Sequence, residues 1–311
     1  MTSIDIPYIY PTYTTFLQCE IGIGDRSHIH IIGIPLEDTT SFRRGTRDAP
    51  NIVRMVSPYV EVTTSRLKNI DIKNIRDIGN IELVHGNIMK NIERIEKTIR
   101  ELVSRDILNL LVIGGEHTLT YSIVKALNRK GLVIIFDAHL DSRDEWPYGQ
   151  KYSHATHLRR IIEEIENVYV IHIGSRAYDN EELEFLRRCD NVLIINSSDV
   201  KSVTTRLLIR DFISTISNVE FTYFSLDFDV FDISYMPAVS NPEGYGGLDP
   251  QSVIKYLKLI LEYCPNTTLK ICDFVEYCPT FDPGFAYCTT VIKTILDFID
   301  LVYLSSFDSL C

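Results

Sequence analysis

Along the chain, runs of almost continuously apolar residues alternate with stretches of helical period. Segments 28–35, 107–113, 132–137, 168–174, 192–196, 221–228 and 268–275 read as strands, and 71–81 closes on Asp77-Ile78-Gly79-Asn80. Between them the spacing predicts helices near 49–60, 87–105, 119–129, 156–166, 180–189, 203–215, 251–263 and 286–303. Strands that are apolar on both faces and separated by helices of this length form a parallel sheet covered on both sides. The pattern therefore predicts an α/β protein of three layers, helices on either face of a mainly parallel sheet. No linker, repeat or low-complexity segment divides it, so 28–311 reads as one domain preceded by an irregular arm, 1–27, that contains tyrosine and proline.

In such sheets ligands bind beyond the carboxyl ends of the strands. Four polar clusters fall there: Gly114-Gly115-Glu116-His117, Asp137-Ala138-His139-Leu140-Asp141, Asp227-Phe228-Asp229 and Glu276-Tyr277-Cys278-Pro279. Residues two apart on an extended chain point to the same side, so Asp137, His139 and Asp141 can aim three ligands at one spot. Asp227 and Asp229 repeat the pattern, with Asp232 three residues on. A lone DxD is usually a solvated strand end, and a lone histidine after two glycines is usually a cap or a core residue. Four such clusters at four strand ends point instead to a di-metal centre. A ligand set rich in carboxylate, with imidazole and no thiolate, suits Mn²⁺, and Zn²⁺, Co²⁺ or Fe²⁺ would also be accommodated.

Composition narrows the picture. The formal net charge of −11 argues against a nucleic-acid partner, which would need basic surface, and fits a cationic small substrate. No run long and apolar enough to span a membrane occurs, and the first residues carry neither a basic nor an apolar leader segment. Seven cysteines, an odd number with no CxxC pair, fit reduced thiols and a cytoplasmic location.

The motifs GGEH, DAHLD and SLDFDVFD resemble those of the arginase/agmatinase ureohydrolases, commonly GG(D/E)H, DAHxD and SxDxDxxDP. Further landmarks are Gly33-Ile34-Pro35, Arg43, Gly45, Arg47, Pro50, Arg54, Asp77-Ile78-Gly79, Ile173-Gly174-Ser175-Arg176 and Gly246-Gly247-Leu248, so the likeness runs from about residue 28 to 300. The resemblance implies an arginase-like fold and two Mn²⁺ per chain. One ion would be held by His117, Asp137, Asp141 and Asp227, the other by Asp137, His139, Asp227 and Asp229, with Asp137 and Asp227 bridging. It further implies that Glu276, with Asp282 following, pairs with the substrate guanidinium. His154 matches the family's proton-shuttling histidine, and His157, one helical turn along, competes for that role. The departing nitrogen would take its proton by way of Asp229 or His154. Homo-oligomers, trimers or hexamers, belong to the same expectation.

Within the family, Ser142-Arg143-Asp144-Glu145-Trp146-Pro147-Tyr148 stands where arginases carry an Asn- and Ser-rich stretch, and SHATHLRR looks like the agmatinase pattern. An acidic loop suits agmatine, whose tail is an ammonium, and the expected products are putrescine and urea, as in polyamine biosynthesis. Arg143 points the other way, since a guanidinium can bind a carboxylate, so arginine, guanidinobutyrate and formiminoglutamate stay open. Two departures bear on the substrate: Ile233 replaces the usual proline, and Ser240-Asn241-Pro242 replaces a Gly-rich segment. Readings of another class are a one-metal amide hydrolase of the deacetylase type and an inactive metal-binding homologue.

Overall fold

The computed structural model describes residues 5–200 and 202–304. Among these residues ten strands form one sheet: β1 (Ile9–Tyr10), β2 (Glu20–Ile21), β3 (Ile29–Ile34), β4 (Ile75–Ile81), β5 (Asn109–Gly114), β6 (Gly131–Phe136), β7 (Val168–Ser175), β8 (Val192–Asn196), β9 (Phe221–Asp227) and β10 (Leu269–Val275). Their spatial order is β1-β4-β3-β5-β10-β9-β6-β7-β8, with β2 also beside β4. Every pairing is parallel except β1 with β4. The long apolar runs thus lie where the sequence places them. The opening arm is less irregular than expected, because its two short strands extend the sheet through β4.

Among the described residues eight α-helices cover the sheet: α1 (Ala49–Val56), α2 (Ile88–Ser104), α3 (Thr118–Leu127), α4 (His157–Glu164), α5 (Asn180–Arg187), α6 (Val203–Ser214), α7 (Pro250–Tyr263) and α8 (Cys288–Phe298). Alternate strand residues feed opposite layers. Leu132, Ile134 and Phe136 of β6 pack with α1, α6, α7 and α8, while Val133 and Ile135 pack with α2, α3, α4 and α5. Each apolar side chain so buried contributes about 1.5–3 kcal/mol. The closing helix is shorter than 286–303, and its last turns relax into a π-helix, Ile299–Leu304. No helix among the described residues is long and apolar enough to cross a membrane.

A buried ion pair ties the arm to this frame. Arg54 lies under the sheet edge with Nε 2.7 Å from Asp77 Oδ2 and Nη2 2.9 Å from Asp77 Oδ1, and both side chains are fully buried. Asp77 Oδ2 also accepts the Phe16 N–H at 2.9 Å, and Arg54 Nη1 donates to Asn80 Oδ1 at 2.6 Å. A buried charge pair is tolerated when its remaining donors and acceptors are satisfied, and here they are.

Candidate metal centre

The strand order explains why four sequence-distant motifs meet. Strands β5, β10, β9 and β6 are consecutive neighbours, and their carboxyl ends carry His117, Glu276, Asp227 with Asp229, and Asp137 with His139 and Asp141. Gly115 lets the backbone of Leu36 pass close against the end of β5: a Cβ there would overlap the carbonyl oxygen of Leu36. Two site residues sit in the left-handed region, Asp141 at φ 44° and Glu276 at φ 65°. That conformation costs an L residue about 1–2 kcal/mol. At Glu276 it is held by two backbone bonds, its N–H to Gly115 O at 2.9 Å and its carbonyl accepting from Ser240 N at 3.1 Å.

Asp137, Asp227 and Asp229 share one design, in which one oxygen is fixed by a backbone N–H. Asp137 Oδ1 accepts from His139 N at 2.7 Å, Asp227 Oδ1 from Asp229 N at 2.8 Å, and Asp229 Oδ1 from Ala138 N at 3.1 Å. Carboxylate oxygens of these residues and of Asp141 surround two imidazole nitrogens. His117 Nδ1 lies 3.0 Å from Asp137 Oδ2, 3.2 Å from Asp227 Oδ2 and 3.5 Å from Asp141 Oδ2. His139 Nδ1 lies 2.9 Å from Asp229 Oδ2 and 3.7 Å from Asp137 Oδ1. The six predicted ligand positions therefore fall into three overlapping groups: His117 with Asp137 and Asp227, Asp137 with His139 and Asp229, and His117 with Asp141, where His157 is the third member.

Outside these clusters, the far ring nitrogens decide what the near ones can do. Ser225 donates its hydroxyl to Asp273 Oδ1 at 2.5 Å, so at 2.9 Å it accepts from His117 Nε2. His139 Nε2 donates to Glu243 Oε1 at 3.1 Å. Each imidazole thus spends its hydrogen outward and presents a Nδ1 lone pair to carboxylate oxygens. His117 Nδ1 and Asp137 Oδ2 are fully buried, face each other, and make no hydrogen bond. Lone pairs facing lone pairs in a buried site call for cations between them, and an oxygen-rich donor set with imidazole suits a divalent metal.

Without such cations, protons take their place. Burial alone would pull His117 down, but the carboxylates of Asp137, Asp141 and Asp227 overcome it and hold the ring well above the usual histidine range. His139 is raised likewise, burial being outweighed by Asp229, Asp137 and Glu243. Burial, together with Asp229 and Asp137, pushes Asp227 well above the ordinary carboxylate range, and burial raises Asp229 too. Asp137 is held well below that range: burial opposes, and contacts with His117 and His139 prevail.

A cavity of about 340 Å³ opens onto the clusters, lined by His139, Asp141, Asp227, Asp229, His154 and Glu276, and further out by Phe42, Arg143, Trp146, Tyr178, Asp179, Glu182 and Glu243. Glu276 accepts from His117 N at 2.6 Å and from Ser240 Oγ, and burial pushes its carboxyl up to about 8. His154 reaches the cavity with Nε2 3.1 Å from Ser41 Oγ and its N–H donating to Thr39 Oγ1 at 3.1 Å. Burial lowers its imidazole below the ordinary value.

Four residues singled out in the sequence have other roles here. Asp282 is a structural cap, accepting from Tyr277 Oη, Tyr287 N and Cys288 N, and does not reach the cavity. Asp232 braces the 241–250 loop by accepting from Gly246 N and Gly247 N. His157 is enclosed behind His117 and does not line the cavity, so His154 alone of the pair faces it. Arg143 is already engaged: Nη1 is 2.5 Å from Asp179 Oδ2, and its guanidinium lies 4.7 Å from the Trp146 ring.

Residues the sequence reading left without a role are Asp273, Glu243, Thr39 and Ser41. Asp273 carried a visible signal, a carboxylate inside the apolar run of β10. The others sit on loops whose placement depends on the finished fold.

A model described as the Arginase family matches residues 27–298. The agmatinase of Pyrococcus horikoshii is 34% identical over 258 residues, 81% of this chain and 84% of that protein. A guanidinobutyrase of Pseudomonas aeruginosa is 30% identical over 263 residues, 81% of this chain and 79% of that protein. Among solved structures, the agmatine ureohydrolase of Thermoplasma volcanium aligns with a TM-score of 0.74 at 27% identity, covering 94% of each chain.

Proposed function

The chain belongs to the arginase family of ureohydrolases, and from that premise we propose that it is a two-metal hydrolase of an aminoalkylguanidine, agmatine being the substrate that fits best. The observation that carries this reading is that the buried His117 Nδ1 and the half-buried His139 Nδ1 are both turned onto carboxylate oxygens. His117, Asp137, Asp141 and Asp227 would hold one ion and Asp137, His139, Asp227 and Asp229 the other, with Mn²⁺ suited to so many oxygen donors. When bound, two such ions supply a water of lowered pKa near neutral pH and offset charge that develops in the transition state.

The protein's own groups account for the rest. Glu276 presents a buried carboxyl whose proton leaves readily when a cation arrives, and a planar guanidinium with several donors matches a carboxylate. Water adds to the guanidinium carbon, the bond from that carbon to the alkyl nitrogen breaks, and urea and a primary amine leave. His154, held neutral by burial, can take up the proton of the added water and return it to the departing nitrogen, with Asp229 beside it as an alternative carrier.

The outer cavity favours a cationic tail. Arg143 is neutralised by Asp179 and flanked by Glu182, and Glu243, the partner of His139 Nε2, adds a further carboxylate at the mouth. A tail carboxylate would find no free cation among the described lining residues, whereas an ammonium would find acceptors and the aromatic rings of Trp146 and Tyr178. With agmatine the products are putrescine and urea, which places the activity in polyamine synthesis. The free thiols of the six described cysteines fit a reducing, cytoplasmic setting, and assembly into a homo-oligomer is part of the same proposal. A urea-release assay with Mn²⁺ tests the substrate directly. Turnover of agmatine well above that of arginine, guanidinobutyrate and formiminoglutamate is expected, and preference for a carboxylate-bearing compound would overturn the assignment of the tail.

A further inference from the structure

His157 lies outside the cavity, yet it touches three parts of the site at once. Its ring stacks on His117 with centroids 3.9 Å apart and planes inclined by 30°. Its Nδ1 lies 3.0 Å from the carbonyl oxygen of His154 and 3.3 Å from Asp141 Oδ2. Its Nε2 is buried without a partner. A ring with two oxygen acceptors at Nδ1 and none at Nε2 carries its hydrogen on Nδ1. That N–H bonds to the backbone of the proposed proton carrier, and a carboxylate oxygen of the proposed metal set lies beside the same nitrogen.

Neighbouring backbone contacts bind the same two segments. Leu158 N donates to Asp141 O at 3.1 Å, and Arg143 N donates to Ala155 O at 3.2 Å. Asp141 needs the help: it occupies the left-handed region, and none of the backbone bonds that fix the other aspartates reaches its carboxylate. A free carboxylate at that point would sample rotamers away from the centre.

We propose that His157 is a positioning residue that holds Asp141 in its ligand rotamer and, through the same N–H, sets the place of His154. It makes filling of the His117-side metal position and alignment of the proton carrier one event. The inference rests on the two-metal reading, with His117 and Asp141 as ligands. His157 touches neither the cavity nor the reacting atoms, so it acts only through these two neighbours.

Two substitutions separate the donor from the ring. His157→Phe keeps a flat ring against His117 and removes the N–H, while His157→Asn removes the ring and keeps a donor near the Nδ1 position. Mn²⁺ binding to the metal-free proteins is measured by titration, together with their melting temperatures and the kcat and KM of the loaded enzymes. The phenylalanine variant is expected to bind one of two Mn²⁺ about 10–100-fold more weakly, the usual effect of losing a partner of a ligand. The other ion, the metal-free melting temperature and KM should stay as in the wild type, while kcat falls. The asparagine variant should regain most of the Mn²⁺ affinity. Wild-type affinity for both ions in His157→Phe would overturn the proposal, as would equal losses in both variants accompanied by a lowered metal-free melting temperature, which would mark a packing role. A wild type that takes up no Mn²⁺ would overturn the two-metal reading and this proposal with it, a result distinct from either of those.

Discussion

Glu243 stands 3.1 Å from Nε2 of His139, on the side of the ring away from the aspartates. That single contact decides which nitrogen faces the centre, and the carboxylate is itself held below the ordinary glutamate range by His139. Glu243→Ala is expected to weaken one of the two metal ions by about 10–100-fold and leave the other unchanged. Competition against a chelator of known affinity reads both constants. Two unchanged constants would show that His139 finds its orientation without this partner.

Glu276 tests the substrate side independently of the metal. Glu276→Gln keeps the shape and the acceptor for His117 N but removes the negative charge. It is expected to bind two metal ions as the wild type does and to lose about 2–5 kcal/mol in kcat/KM, the cost of removing one partner from a buried charge pair. Steady-state urea release together with metal analysis of the same samples checks both halves. Wild-type turnover would assign the guanidinium to another group.

How far the sequence foretold this site depends on the range of each contact. Asp137, His139 and Asp141 were legible because a strand leaving a sheet turns every second side chain to one side, a local rule. The convergence of the four strand ends followed from the general behaviour of parallel sheets. The partnership of Ser225 with Asp273 was not legible, because it needs the register in which Asp273 of β10 pairs with Ser225 of β9. Glu243 and Thr39 lie on loops that approach the centre only once the strands are assembled, so nothing in their neighbours' periodicity marks them. Strands β1 and β2 are two residues each, too short to show alternation, which is why the arm read as irregular.

For the groups that face the centre, the pH dependence of the metal-free protein has a definite sign above the histidine range. His117, His139, Asp227, Asp229 and Glu276 all keep protons in the folded state more tightly than in the unfolded chain. The folded state then binds more protons, and stability falls as pH rises. The loss begins above the ordinary carboxylate values near 4 and continues past the histidine value of about 6.5. Asp137 and Asp141 are shifted the other way, so their effect is confined to more acid conditions. Burial shifts His30, His154 and His172 downward, which opposes this trend below the histidine value of about 6.5. Melting temperatures of the chelated protein are therefore expected to drop between about pH 6.5 and 8, while Mn²⁺ stabilises increasingly over the same window as protons leave the ligands. A metal-free melting temperature that climbs across this range would contradict the proton-for-metal exchange.

Removal of ligands should be selective. His139→Ala or Asp229→Ala is expected to lower the metal content from two ions to one and to abolish most urea release, since both residues belong to the same cluster. Elemental analysis after equilibration with Mn²⁺ measures this. Full activity with two ions in either variant would refute the ligand assignment.

The most direct measurement of the central claim is an anomalous difference map from crystals of the protein grown with Mn²⁺. Two peaks about 3.5–4 Å apart are predicted, one against His117 Nδ1 and one against His139 Nδ1, with Asp137 between them. A map with a single peak, or with none at these side chains, would contradict it.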